Sequence, residues 1–564
     1  MAYLKKLRKW LLTPFAPKLV EVLSKGYSTQ KFKNDCLAGL TTTVVSIPLS
    51  MALAIASGVS PAQGLYTAII AGFLVSALGG SRYQIGGPTG AFVVVIFSIL
   101  QQAGFSGLAM TMLIAGLLLI LAGFLRLGSY VRYIPYPVII GFTSGIGILL
   151  ISTQIKELFG LELDTVPTAF FPKWGAYLSH LNTFSGQTVL LSLLTAVLIF
   201  ATKRYFPKLP AMLMGVVGAT ALVAIGNLSV TTIGSQFGAL PHFLPKPTLP
   251  DFSLDLFFKM VPSGLTVAFL AALESLLSAK VVDGMSGDNH NPNAELIAQG
   301  IANIACIPFT GIPATGAIAR TATNFKANAY SPVSGIMQSV FLLLFMLIFA
   351  PIAKYMPLCC LAVVLLLVAW NMLNVDKIWL MLKSPIGADK LILVLTLGLT
   401  VLVDLNTAIS VGVVLSCILF MHRMSEEFGI EMDEKTAKER VGGNNITQRL
   451  KDQGVTTLRV SGPLFFGGVA SVSTFLKRVD LHPKILILRM NQVPMIDASG
   501  VMLLVDLVKK LKKDGTKVIL CHVRKQPRRV LHKAFQQNGL DWHTLSVAKN
   551  YTIALKIVEK FLKK

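Results

Sequence analysis

Apolar runs of the length needed to cross a bilayer, about 20 residues, recur from Cys36 to His422 in this chain. That repetition constrains the fold more than any other feature, because so much apolar surface has to be housed in lipid. Two of the runs are broken by proline and glycine, at Gly86-Gly87-Pro88-Thr89-Gly90-Ala91-Phe92 and at Gly311-Ile312-Pro313-Ala314-Thr315-Gly316. A helix that starts inside a membrane has N–H groups without intrahelical partners. With the positive end of the helix dipole, those groups make a site for an anion. Matched breaks in the two halves of a hydrophobic chain point to a transporter with inverted repeats, and to its binding site.

The chain is 53% hydrophobic and 14% charged, against about 25% charged in ordinary soluble proteins. The formal charge is +24, and its distribution is informative. Residues 1–35 hold 8 Lys/Arg against 2 Asp/Glu, residues 36–424 hold 18 against 12, and residues 425–564 hold 25 against 13. Basic flanks mark the cytoplasmic side, so both termini are expected inside and the number of spans even. The basic tail reads as a solvated surface that touches anionic lipid; nucleic acid is a poor partner for a chain anchored in this way. The cysteines Cys36, Cys306, Cys359, Cys360, Cys417 and Cys521 make no C-x-x-C pair and read as small buried hydrophobes. Residues 5–10 look amphipathic and interfacial, and no cleaved signal peptide is expected.

Fourteen spans fit the pattern, at about 36–57, 62–79, 88–103, 108–125, 137–155, 187–201, 210–227, 261–280, 293–307, 314–325, 333–350, 357–373, 389–403 and 406–423. This assigns 13 of the 18 Lys/Arg of residues 36–424 to the cytoplasmic side, in keeping with the positive-inside rule. The third and tenth spans are short and begin at the two breaks. Each is third of seven in its half, and because seven is odd the halves have opposite orientation. The expected domains are a cytoplasmic basic segment at 1–35, a transmembrane transport domain at 36–424, a linker at 425–454 carrying Gly442-Gly443-Asn444-Asn445, and a cytosolic domain at 455–564. That last domain alternates strand-like runs (455–460, 484–490, 517–523) with helix-like ones (468–479, 500–513, 527–537, 553–561), an α/β pattern.

Several of these strings resemble the sulfate permease (SulP) family of anion transporters: Gly86-Gly87-Pro88-Thr89-Gly90-Ala91, Glu274-Ser275-Leu276-Leu277, Asp283-Gly284-Met285 and Thr315-Gly316-Ala317-Ile318-Ala319-Arg320. The tail resembles the STAS domain that those proteins carry. The resemblance implies an all-α membrane domain of fourteen spans in two inverted seven-span repeats, split into core and gate domains, and usually a homodimer. Thr232-Ile233-Gly234-Ser235-Gln236-Phe237 and Asn293-Ala294-Glu295-Leu296 resemble the C4-dicarboxylate transporters of the family.

Candidate substrate-binding residues are the two helix starts, Thr89, Gly90, Ala91 and Phe92 on one side and Thr315, Gly316, Ala317 and Ile318 on the other. Their small residues let a ligand approach the backbone. The competing reading is that Pro88 and Pro313 only kink helices. Arg320 follows the second break and suits carboxylate or sulfate oxygens; it reads equally well as a positive-inside charge. Glu274 lies within an apolar run, where an ionisable residue is a functional candidate, with Ser278 one turn on. The pair is assigned to ion coupling, the alternative being a structural hydrogen bond. The resemblance implies that sodium-using members form their cation site around the Glu274 position with nearby hydroxyls. Ile318 replaces one of those hydroxyls here, which favours a proton over sodium. Asp404 is expected to cap a helix or face outside, and His290 to be structural. Ser499, in Asp497-Ala498-Ser499-Gly500, is a regulatory candidate through phosphorylation, with an ordinary helix cap the favoured alternative.

The resulting expectation is a secondary active transporter of small oxyanions in a bacterial inner membrane. It would carry a C4-dicarboxylate such as succinate, or sulfate, with proton coupling and alternating access. The alternatives are a bicarbonate or sulfate transporter coupled to sodium, a passive exchanger or channel on the same fold, and a membrane-anchored signalling protein acting through a cytosolic partner of its tail. No Gly-Lys dipeptide occurs, so there is no P-loop. No cofactor, metal-ligand cluster or nucleophile–base pair stands out, and an enzyme is not expected.

Overall fold

The computed structural model describes residues 15–163, 166–167, 169–207, 209–226, 228–432, 452–466, 483–540 and 546–563. The expectations for residues 5–10, 442–445 and 468–479 lie outside them. The chain divides into two units, Met1–Val413 and Val414–Lys564.

The first unit is helical. Its main helices, with the one that leads into the second unit, are α1 Thr29–Ala56, α2 Pro61–Leu78, α3 Gly90–Phe124, α4 Tyr136–Phe159, α5 Gly186–Tyr205, α6 Ala211–Gly226, α7 Leu254–Ser286, α8 Pro292–Cys306, α9 Ile318–Lys326, α10 Val333–Ala353, α11 Leu358–Leu373, α12 Gly387–Leu402 and α13 Leu405–Glu426. Each of the fourteen expected spans meets one of these among the described residues, α3 supplying two. It does so because Gly104 interrupts it at φ 60 and ψ −161, a conformation closed to residues with a Cβ. Nine helices among the described residues are long and apolar enough to cross a membrane by length and composition. The shorter α6, α8, α9 and α12 and the second half of α3 complete the set.

Local signals set the ends of the helices that matter most here. Ser253 accepts from Leu256 N–H to start α7, and Gly287 at φ 73 ends it. Asn291 accepts from Asn293 and Ala294 N–H to start α8, with Pro292 in the first turn where its missing donor is harmless. Asp404 takes the Thr407 N–H at 2.8 Å and so caps α13, as one of its two expected roles. Two apolar clusters form the interior. One is centred on α1, α2, α10 and α11, the other on α3, α7 and α8.

The second unit holds a five-stranded sheet: β3 Gly429–Met432, β4 Val455–Ser461, β5 Ile485–Gln492, β6 Lys517–Cys521 and β7 Ser546–Ala548, in the order β3-β4-β5-β6-β7. β3 is antiparallel to β4, and the other pairs are parallel. Helices α14 Ala498–Lys513, α15 Lys525–Gln537 and α16 Tyr551–Leu562 connect and follow the parallel strands. Strand β3 lies inside the 425–454 stretch expected as linker. Two of its four residues are exposed and two half-buried, and four residues are too short a run to announce a strand.

Candidate functional site

The two sequence breaks meet. Gly86–Gly87 (β1) and Thr315–Gly316 (β2) pair antiparallel, Gly86 opposite Gly316 and Gly87 opposite Thr315, as repeats of opposite orientation would bring them together. Ala317 N–H donates to Ile85 O at 3.0 Å, and Ile85 N–H to Thr321 Oγ1 at 3.1 Å. The glycines are sterically required. A Cβ on Gly87, at φ 155, would run into Arg320 Nη1, and one on Gly316 into Gln84 Nε2.

Helices α3 and α9 begin on either side of this pair. Neither Thr89 nor Ala317 supplies a side-chain cap, so the first N–H groups of both helices are left for a ligand. At the first break Thr89 is half-buried, and Gly90 and Ala91 are buried. Phe92 departs from the expectation. Its N–H goes to Thr89 O at 3.3 Å, and its ring lies within the apolar cluster. At the second break the expected helix start at Thr315–Gly316 is corrected. The strand pairing takes those two residues, and the Ala317 N–H is spent on Ile85. The helix therefore starts at Ile318, which is 44% exposed, and the donors left over move to Ile318, Ala319 and Arg320. Thr315 serves instead as an anchor, its Oγ1 donating to Ala271 O of α7 at 2.9 Å.

Arg320 is 0% exposed, which removes the reading of it as a solvated cytoplasmic charge. Nη2 donates to Ser50 Oγ at 3.1 Å. Nε and Nη1 are enclosed and have no hydrogen-bond partner among the described residues. On α7, the Glu274 carboxyl interacts with the Thr89 side chain, while its Oε2 and the Ser278 Oγ are enclosed and also lack a partner among the described residues. Buried polar atoms are nearly always satisfied, so a cluster of orphans calls for a ligand, ion or water. Here the orphans are of two kinds. The Arg320 nitrogens lie beside Gly87 and the Glu274 carboxyl reaches Thr89, two residues further along the chain.

A neighbouring set of buried polar residues escaped the sequence reading. Glu295 on α8 is fully buried and bonds Gly80, Ser275 and Gln299. The clue that picked out Glu274, a carboxylate inside an apolar span, applied to it equally. His290 is structural as expected, its Nδ1 lying 2.6 Å from Asp283 Oδ2. In the second unit, the cap of α14 is Asp497, whose side chain accepts the Gly500 N–H at 2.8 Å. Ser499 is therefore not that cap; it stands exposed in the first turn. Among the described residues, no group of three or more His, Cys, Asp or Glu side chains is placed to hold a metal.

Comparison with known proteins places this chain among transporters. The sequence model described as "Sulfate permease family" matches residues 32–396, and that of the STAS domain residues 448–541. YvdB, a Bacillus subtilis protein that bears a sulfate-transporter name, is 41% identical over 90% of this chain and 95% of its own length. The bicarbonate transporter BicA of Picosynechococcus is 29% identical over 79% of this chain and 80% of its own. The solved transmembrane domain of a cyanobacterial BicA superposes with a TM-score of 0.61 at 30% identity, covering 68% of this chain and 98% of that one. Murine Slc26a9 shares the fold at a TM-score of 0.85 and 18% identity, over 98% of this chain and 95% of its own.

Proposed function

From the premise that this chain belongs to the sulfate permease family of multi-pass membrane anion transporters and carries a STAS domain, we propose that it moves a small oxyanion by proton-coupled alternating access. The observation that carries this reading is the pairing of unsatisfied groups of opposite polarity at the meeting point of the two breaks. The two uncapped helix starts and the free edge of Arg320 offer only donors, which suits an oxyanion. Two helix ends and one arginine hold an anion without enclosing it in fixed charge, so it can also leave. Glu274, with Ser278 beside it, takes the proton. Protonation neutralises the carboxylate next to the anion, so anion and proton favour each other's binding. Ile318, where sodium-using members would carry a hydroxyl, supports a proton over sodium.

Sulfate and bicarbonate lead the substrate candidates, because relatives named for them align over most of the chain. The strings that resembled the C4-dicarboxylate branch have structural explanations. Thr232 and Ser235 form a capping box, and Glu295 is occupied by its own hydrogen bonds. Succinate stays in the screen as the third candidate. The full assembly is read as a homodimer in a bacterial inner membrane, with both termini cytoplasmic.

The test is uptake of labelled sulfate, bicarbonate and succinate into proteoliposomes, with and without an inward proton gradient. Saturable uptake of at least one, faster with the gradient, is expected. Uptake indifferent to the gradient would make the protein a passive exchanger or channel, and no flux of any of the three would remove the proposal.

A further inference from the structure

Glu295 is a second carboxylate inside the membrane unit, and the transport reading above makes no use of it. It is 0% exposed, and all its hydrogen-bond partners are donors. Gly80 N–H donates to Oε2 at 3.0 Å, while Ser275 Oγ–H and Gln299 Nε2–H donate to Oε1 at 2.9 and 3.0 Å. That set uses both carboxyl oxygens as acceptors. An amide in its place would turn a donor toward the Gly80 N–H. Of the elements packed against α8, α7 carries Glu274, Lys280 and Asp283, and the Leu127–Tyr133 turn carries Tyr130, Arg132 and Tyr133. His290 is its electrostatic neighbour and is itself bonded to Asp283. Helices α2 and α3, which pack against α8, contribute no Asp, Glu, Lys, Arg or His.

The partner Ser275 is the hub. Its Oγ also accepts from Gln84 Nε2 at 3.2 Å and from Gln299 Nε2 at 2.9 Å, and Gln84 donates to Ser275 O at 3.1 Å. Gln84 stands two residues before β1. Four residues before Ser275, Ala271 O receives Thr315 Oγ1 from β2. One turn of α7, residues 271–275, is thus tied to both breaks and, through Glu295, to the Gly79-Gly80 corner. That same turn carries Glu274. Successive residues on a helix are about 100° apart, so a small rotation of α7 would swing Glu274 away from Thr89.

We propose that Glu295 is a positioning residue for proton coupling: through Ser275 it sets the rotation of α7 that presents the Glu274 carboxyl to the anion site. This rests on the coupling role given to Glu274 above. The test uses the full-length protein in proteoliposomes, comparing Glu295→Gln, Glu295→Asp, Ser275→Ala and Glu274→Gln with wild type. The readouts are gradient-stimulated uptake of sulfate, bicarbonate and succinate, its pH profile, and thermal stabilisation by the same anions. Ser275→Ala removes one hydroxyl and keeps the test open should Glu295→Gln fail to fold. The expected result is that Ser275→Ala and Glu295→Gln lose gradient stimulation on the order of fivefold or more while anions still stabilise the protein. Glu295→Asp should recover part of the stimulation. Wild-type stimulation in a folded Ser275→Ala or Glu295→Gln, with Glu274→Gln inactive, overturns the positioning role alone. Parallel loss of anion stabilisation and stimulation in Ser275→Ala also overturns it, leaving Glu295 a scaffold residue. Unchanged stimulation in Glu274→Gln overturns the coupling reading itself.

Discussion

At Gly87 a single methyl group tests the anion site. Its φ of 155 and the closeness of Arg320 Nη1 leave an alanine no comfortable place, so Gly87→Ala should displace the guanidinium and weaken oxyanion binding. Arg320→Ala should remove charge-assisted hydrogen bonds worth about 2 kcal/mol, or roughly thirtyfold in Kd, read by titration of the purified protein with sulfate. Unchanged affinity in both variants would argue against Arg320 as an anion contact. The sequence singled out Arg320 and Glu274 because charges in apolar runs are rare. It left Arg320 undecided between site and cytoplasmic rim, since only burial separates the two. Glu295 was passed over although it too stands in an apolar run, and its partners Gly80 and Ser275 lie 215 and 20 residues away. No helical periodicity reports such contacts.

Among the elements, helix ends were more legible than strand pairing. Most of the fourteen expected spans were visible as apolar runs, and the two short ones were flagged by proline and glycine. What the runs could not show is that two pairs of residues, three of the four glycine, would join as strands and move the start of α9 to Ile318. Two-residue strands have no period, and their stability comes from a partner in the other half of the chain. A family-like string can likewise be purely architectural. Thr232 accepts from Ser235 N–H at 3.2 Å, and Ser235 Oγ accepts from Thr232 N–H at 2.9 Å. Thr232→Ala should therefore cost about 1 kcal/mol, seen as a lower unfolding temperature, and leave the ranking of sulfate, bicarbonate and succinate unaltered. A change in that ranking would return the string to substrate selection.

For the whole molecule, the two breaks meet where the two halves of the chain touch, with the unpartnered Arg320 nitrogens and the Glu274 carboxyl beside them. A transporter built this way binds at the repeat interface and moves one part against another. The second unit adds an exposed Ser499 beside the α14 cap, a surface position from which a phosphate would meet the helix N-terminus. Central to the account is that an oxyanion and a proton cross together, with Glu274 as the proton carrier. The most direct measurement is the internal pH of proteoliposomes, followed with an entrapped dye, when sulfate or succinate is added outside at equal pH. The account predicts that the lumen acidifies as the anion enters, and that Glu274→Gln abolishes this acidification. Anion entry without acidification in the wild type, or equal acidification in Glu274→Gln, would contradict it.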